Sequence, residues 1–189
     1  KENQKITTEP GFQYELSGAP FKNIHLVCSE NSSHFNELKE IFNYTSITTS
    51  SIAYDPFNKL IDIPKSPKER YKIMTSEMPK SGKLSLDMMY KTAGIQINYD
   101  YTSEEDFEKK FKIGNYLAPL TIALFANSPF NENKLSGFLS YRGKVWQETN
   151  RGGIMPIAFE KINFEKYIDH AINFPILFLK KKGKYFSPN

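Results

Sequence analysis

Residues 7–20, TTEPGFQYELSGAP, bring together two carboxylates (Glu9 and Glu15), the amide Gln13 and two glycines. From residue 12 to residue 16 the pattern alternates, with Phe12, Tyr14 and Leu16 apolar and Gln13 and Glu15 polar. Successive side chains of a strand point to opposite faces, so the spacing predicts Gln13 and Glu15 on one face and the three apolar residues on the other. A carboxylate and an amide over an open face suit a cation or a polar substrate. The same pattern also describes a half-buried strand with a solvated side, and residue types alone leave both readings open.

A second stretch repeats the pattern. Ile95, Ile97, Tyr99 and Tyr101 alternate with Gly94, Gln96, Asn98 and Asp100, predicting a second strand over 94–101. Paired with the first, it would place Gln13, Glu15, Gln96 and Asn98 on one sheet face. Buried amides need partners, and an open substrate cleft would supply them. Arg142 and Trp146 stand four apart and would share a helix face. Arg151, Gly152 and Gly153 form a flexible basic turn. His25 and His34 do not share a helical face, which argues against a histidine metal pair.

These residues need elements to hold them. Ser17 and Pro20 mark the start of an amphipathic helix over 21–43. The Thr- and Ser-rich run that follows leads into a candidate strand ending at Tyr54, and 55–65 reads as a loop. Ser66 to Glu69 has the form of a capping box, opening a helix that carries Arg70, Tyr71, Ile73 and Met74 and ends by Pro79. Ser103 caps a helix with an acidic first turn. The apolar stretch 116–126 predicts a core helix with a break near Pro119, and 127–136 a polar loop. Asn163 caps a last helix with Phe164, Tyr167, Ile168, Ala171 and Ile172 on its inner side. Residues 176–179 and 184–186 flank Gly183 as a hairpin. No repeat or linker divides the chain, so residues 1–189 read as one α+β domain.

The 189 residues suffice for a core, and aromatics, 14% of the chain, supply much of it. The net charge is +4, with lysines scattered apart from the run 180–184, which reads as a solvated hairpin. This distribution argues against nucleic acid as a partner and is compatible with small anionic substrates. Cys28 is the single cysteine, which excludes an intrachain disulfide and fits a reducing, cytoplasmic setting. No stretch is long and apolar enough to span a membrane, and no secretory pattern is present.

Several segments together resemble the glutamate–cysteine ligases of the plant and proteobacterial type. EPGFQYELSGAPFKNIH is similar to that family's EPGGQxELSGAP…xIH. ERYKIM and MPKSGKLSLDMMYKTAGIQINYDYTSEEDFEKKF resemble GRYxIM and MPKxGxLGLDMMxRTCTVQVNLDFSSExDMxxKF. LTIALFANSPFNENKLSGFLSYRGKVW is similar to IATALFANSPFxxGKxNGFLSxRxxxW, and GIMPIAFE and NFEKYIDHAINFPILF follow in the same order. The resemblance covers nearly the whole chain.

It implies a glutamine-synthetase-like carboxylate-amine ligase fold, an antiparallel sheet curved around a cleft with helices outside. It also implies ATP-dependent ligation of L-glutamate, through γ-glutamyl phosphate, to L-cysteine, the first step of glutathione synthesis. ATP and Mg2+ are the implied cofactors, since oxygen ligands suit magnesium. On this resemblance Glu15 is the first metal ligand candidate and Glu9 a second, with Gln13 in support. Gln96 and Asn98 occupy the QxN position as substrate-binding residues, and Trp146 walls the amino-acid pocket. Arg142 takes glutamate or the transferred phosphoryl group, and Arg70 and Arg151 neutralise transition-state charge.

Three departures stand out. Lys91 replaces the motif's arginine, Ala93 its cysteine, and Phe12 a glycine. Family members also carry an upstream strand with an ExE-type motif, which nothing before Glu9 supplies, and a C-terminal helical part. The resemblance therefore implies the central portion of such an enzyme, weakly active or inactive alone, as a monomer or weak homodimer. Two other outcomes remain open: a related ligase with another amine acceptor, and a non-catalytic relative that binds amino acid or nucleotide.

Overall fold

The computed structural model describes residues 3–187 except 81, 150, 151, 153, 154, 156, 158, 159 and 175. It is an α+β arrangement of helices and short antiparallel hairpins. The first hairpin joins β1 (Lys5–Thr8) to β2 (Tyr14–Ser17), with Thr7 opposite Glu15 and Thr8 opposite Tyr14. Its tip is tight: the Glu9 N–H donates to the Gln13 carbonyl at 2.9 Å and the Phe12 N–H to the Glu9 carbonyl at 3.0 Å.

This corrects the first sequence expectation. Phe12 and Gln13 lie in the turn, not in the strand, and Phe12 has a left-handed φ of 61°. Gln13 and Glu15 therefore do not share a strand face. The partner of β2 is β1, which carries no clear alternation of its own.

Helix α1 (Ile24–Asn43) is capped by Asn23, whose side chain accepts the Leu26 N–H at 3.1 Å. The start signal at Ser17 and Pro20 thus precedes the true cap. Helix α2 (Glu69–Glu77) begins without the expected capping box. The reason is a tertiary contact: the buried Ser66 gives its N–H to the Pro10 carbonyl at 2.8 Å, and the Lys68 ammonium bonds the Thr8 carbonyl at 2.8 Å. Residues 66–68 are pinned to the hairpin tip, so the helix starts after them. A 3₁₀ turn, Met78–Lys80, then ends it at Pro79.

Helix α3 (Ser85–Lys91) lies at the centre. Its Met89 and Tyr90 pack with Ile63, Tyr71 and Met78 in the main apolar cluster, flanked by Leu60, Met74, Leu86, Met88 and Leu177. Helix α4 (Glu104–Leu124) has its predicted cap, with the Ser103 hydroxyl accepting the Asp106 N–H at 3.1 Å. It runs through Pro119 without a break. Its apolar residues Leu117, Leu120, Ile122 and Leu124 are exposed, so it is not the core helix that composition suggested.

The predicted polar loop at 127–136 is largely a hairpin. β3 (Phe130–Asn131) pairs with β4 (Lys134–Leu135) through Glu132 and Asn133, both at positive φ. Helices α5 (Tyr141–Gln147) and α6 (Phe164–Ile172) are capped by Ser140 and Asn163. Ile168 and Ile172, expected on the inner side of α6, are exposed. A last hairpin, β5 (Leu179–Lys181) and β6 (Lys184–Phe186), turns at Lys182 and Gly183 as predicted.

Residues 94–101 belong to no strand ladder among the described residues. Ile95, Ile97 and Tyr99 are exposed, while Tyr101 packs against Phe107 and Phe164. The predicted pairing of this segment with residues 12–16 is not formed. Of the candidate strand ending at Tyr54, only a bridge between Tyr54 and Thr92 is present. No helix of the described residues is long and apolar enough to cross a membrane.

Candidate active site

Two of the predicted residues, Gln13 and Arg142, approach the C-terminal end of α3 and the residues just after it from two sides. On one side is the tip of the β1–β2 hairpin. The Gln13 side-chain oxygen accepts the Gly11 N–H at 2.8 Å, and its amide nitrogen reaches the carbonyls of Met89 at 3.3 Å and Thr92 at 3.1 Å. Those carbonyls belong to the helix end, where backbone acceptors lack intrahelical partners. Gly11 completes the joint, since a Cβ there would stand 2.4 Å from the Tyr90 carbonyl oxygen. Gln13 is thus committed to holding the hairpin on α3.

Glu9 and Glu15 lie close enough on this hairpin for their charges to act on each other. Burial, and next the neighbouring Glu15 charge, raise the Glu9 carboxyl above its ordinary range, while Arg70 and Lys68 pull the other way. Ser17 donates its hydroxyl to Glu15 Oε1 at 3.1 Å. Arg70 donates Nη2 to the Tyr71 hydroxyl at 2.9 Å, and its Cζ sits 4.8 Å from the centre of that ring. The hydrogen bond to Tyr71 is the first reason its guanidinium holds its proton more firmly than usual. Two carboxylates flanked by two cations is a place where negative charge can be both placed and compensated. Lys68 was missed in sequence, because one lysine in a lysine-rich chain gives no signal.

On the other side is α5. Arg142 and Trp146 share its face, as predicted, with the guanidinium 5.7 Å from the indole. Burial weakens the hold of Arg142 on its proton. Its Nε and the Trp146 Nε1 are buried without hydrogen-bond partners among the described residues. The guanidinium lies against Gly94, the first residue of the segment that carries Gln96 and Asn98, both exposed. Residues 89–94 therefore touch Gln13 at one end and Arg142 at the other. Gln96 and Asn98 are not brought to a common sheet with Gln13 and Glu15. Arg151 lies outside the described residues.

Among the described residues no three His, Cys, Asp or Glu side chains form a ready metal cage. His34 instead stacks on Tyr14, with ring centres 5.8 Å apart. Magnesium commonly takes only one or two carboxylates from a protein and completes its shell with water and substrate phosphates. The converging oxygen donors of Glu9 and Glu15 fit that habit. A cavity of about 210 Å³ between the hairpin and α1 is lined by Gln4, Ile6, Leu16, Glu30, His34 and Glu37, and holds none of the predicted site residues.

One cluster was not read from the sequence as a unit, although Lys91 stood out as a departure from the motif. Lys91 is buried at 3% exposure, its ammonium donating to Asn131 Oδ1 at 3.1 Å and lying 4.7 Å over the Tyr54 ring. The Tyr54 hydroxyl donates to Asp87 at 2.9 Å, and Asn131 reaches the Tyr141 hydroxyl at 3.4 Å. The spacing of Asp87 and Lys91 by one helical turn was the available signal.

Comparison with known proteins bears directly on this arrangement. The family model for glutamate-cysteine ligase family 2 matches residues 1–187. Glutamate–cysteine ligase A, chloroplastic, of Oryza sativa subsp. japonica is 44% identical over 185 residues, covering 96% of this chain and 38% of the relative. The chloroplastic glutamate–cysteine ligases of Nicotiana tabacum and Arabidopsis thaliana are each 44% identical over 185 residues, with 96% of this chain and 35% of each relative covered. The chain thus spans little more than a third of the length of these curated relatives.

Proposed function

The chain belongs to glutamate-cysteine ligase family 2, and from that premise we propose that the protein joins the side-chain carboxylate of L-glutamate to the amine of L-cysteine, with ATP converted to ADP and phosphate. The grouping of Glu9 and Glu15 with Arg70 and Lys68, on the hairpin that Gln13 holds to the end of α3, is the observation that supports this reading. Phosphoryl transfer asks a protein mainly for positioning and charge compensation. Magnesium held by Glu15 and Glu9 would compensate the charge of the ATP phosphates.

Arg142 presents a planar fork suited to a carboxylate or a phosphoryl group, and its burial strengthens that attraction. Trp146 stacks beside it and excludes water from one side of the pocket. Arg70, and Arg151 with it, offset charge that builds on the transferred group. Gln96 and Asn98 offer amides to the amino-acid substrate from the segment beyond Gly94. Gln13 contributes indirectly, by fixing the carboxylate-bearing hairpin on α3. The finer fold, a curved antiparallel sheet around a cleft, is part of the same proposal. It requires partners for residues 94–101.

The departure at Ala93, where the motif carries a cysteine, supports a second reading. A ligase of the same family that takes an amine acceptor other than cysteine fits this departure. A panel of amino acids offered in place of cysteine separates the two.

The acyl-phosphate route is tested by isotope transfer. Glutamate labelled with ¹⁸O in its side-chain carboxylate is incubated with the chain, Mg-ATP and cysteine, and the released phosphate is analysed by mass. One labelled oxygen in phosphate is expected. Product with unlabelled phosphate overturns the route.

A further inference from the structure

We propose that Lys91 is a positioning residue for Arg142, acting through Asn131 and Tyr141 to set where the guanidinium lies. This rests on the reading above only for the identity of the ligand that Arg142 meets. The mechanical link stands on the geometry.

Lys91 is too deeply buried to touch a substrate, at 3% exposure. A buried ammonium is costly unless it is paired, so its partners are held as firmly as it holds them. Its hydrogen bond goes to Asn131 Oδ1 at 3.1 Å, which also lies 3.2 Å from the Tyr54 hydroxyl. The other end of that amide reaches the Tyr141 hydroxyl, and the Tyr54 and Tyr141 rings meet edge to face at 5.1 Å. Tyr141 opens α5 and directly precedes Arg142.

The start of α5 is held a second time by Ser128. Its carbonyl accepts the Tyr141 N–H at 2.9 Å and its hydroxyl accepts the Arg142 N–H at 3.1 Å. Ser128 lies two residues before β3, which carries Asn131. The Lys91 relay therefore acts on the same short unit that anchors the Arg142 backbone.

Lys91 acts from the opposite direction as well. It ends α3, and its backbone runs through the Tyr54–Thr92 bridge and the Ala93 N–H to Ala53 carbonyl bond of 3.0 Å to Gly94, against which the guanidinium rests. Among the described residues Arg142 has no hydrogen bond at Nε, and its place is set by α5 on one side and Gly94 on the other. Both surfaces lead back to Lys91. The charged and titratable groups around the ammonium are Asp87 on its own helix, Asp55, Glu132, and the Tyr54 and Tyr141 hydroxyls. Burial loosens its hold on the proton, and these carboxylates oppose that effect.

The test uses the single tryptophan as its reporter. Trp146 gives one indole N–H cross-peak in a ¹⁵N-correlated spectrum, and it stacks beside Arg142. In ligand-free chain, K91M and Y141F are expected to move this peak and the Arg142 Nε–H peak, while K91R keeps both near their original positions. Y141F removes the far end of the relay without stranding a buried charge, so it decides the matter if K91M does not fold. Unmoved peaks in folded Y141F, or in folded K91M, overturn the proposal. L-glutamate is then titrated into each protein. About tenfold weaker binding is expected for K91M or Y141F, with K91R binding as the unaltered chain does. Equal affinity in all of them overturns the functional part of the link. A chain that does not respond to L-glutamate at all counts against the ligase reading, and the ligand-free spectra still decide the link.

Discussion

The guanidinium of Arg142 rests on the backbone of Gly94: a Cβ built there would stand 2.6 Å from Nη2 and 3.2 Å from Cζ. The atoms in the way are the far end of a flexible side chain, so the protein can yield by moving Arg142. Gly94→Ala is therefore expected to change stability by less than about 0.5 kcal/mol while weakening L-glutamate binding about tenfold. Thermal melting and a glutamate titration on the same sample check it. An unchanged affinity would mean that the guanidinium does not work from this position.

Gln13 spends its amide on the end of α3 and accepts one bond from its own turn. Gln13→Ala leaves those backbone groups without that partner. The expected cost is about 2 kcal/mol, from hydrogen bonds worth about 1 kcal/mol each. For a chain of this size that lowers the melting temperature by roughly 4–8 °C. A melt within one degree of the unaltered chain would show that the hairpin does not depend on this contact.

Phe12 occupies a left-handed conformation with φ of 61°, and its side chain is half exposed. Such a conformation is costly for any residue with a Cβ and free for glycine. Phe12→Gly is expected to stabilise the chain by about 1 kcal/mol, after allowing for the greater freedom of glycine in the unfolded state. Chemical denaturation measures it directly. A clear loss of stability would mean that the ring contributes more than the backbone strain costs.

Glu9 has a pKa raised above its ordinary 4.5, by burial first and by Glu15 second. The folded form thus binds this proton more tightly than the unfolded chain does. The associated stability is fully present below the unfolded value and is lost as pH rises through the folded one. Glu9→Gln is expected to flatten this part of the pH dependence, in melts taken from about pH 4 to 7. Identical profiles for the two proteins would remove the carboxylate pair as its source.

Local signals in the sequence located much of the frame. Ser103 and Asn163 cap their helices because a side-chain oxygen one turn from a free N–H decides the matter locally. The turn at Lys182 and Gly183 and the shared face of Arg142 and Trp146 are local in the same sense. The failures are non-local. Residues 94–101 alternate perfectly, yet alternation says which side chains go together and not which strand lies alongside. Ser66 looked like a cap, but its N–H is spent on Pro10, far away in sequence. The apolar run in α4 was read as core, although composition cannot say whether a neighbour covers it. The site divides in the same way. Arg142 and Trp146 were visible from their spacing and Glu9 and Glu15 from one short motif, but that motif read as a strand from residue 12 and not as a hairpin. The relay from Lys91 to Tyr141 joins four separated segments, and only the Asp87–Lys91 spacing hinted at it.

The most direct measurement is formation of γ-glutamylcysteine from Mg-ATP, L-glutamate and L-cysteine, followed by mass spectrometry, for the chain and for Glu15→Gln. Product that appears with the unaltered chain and drops at least about a hundredfold in the variant is the expected result. Product formed equally well by both would contradict the assignment of this chemistry to the Glu9–Glu15 hairpin.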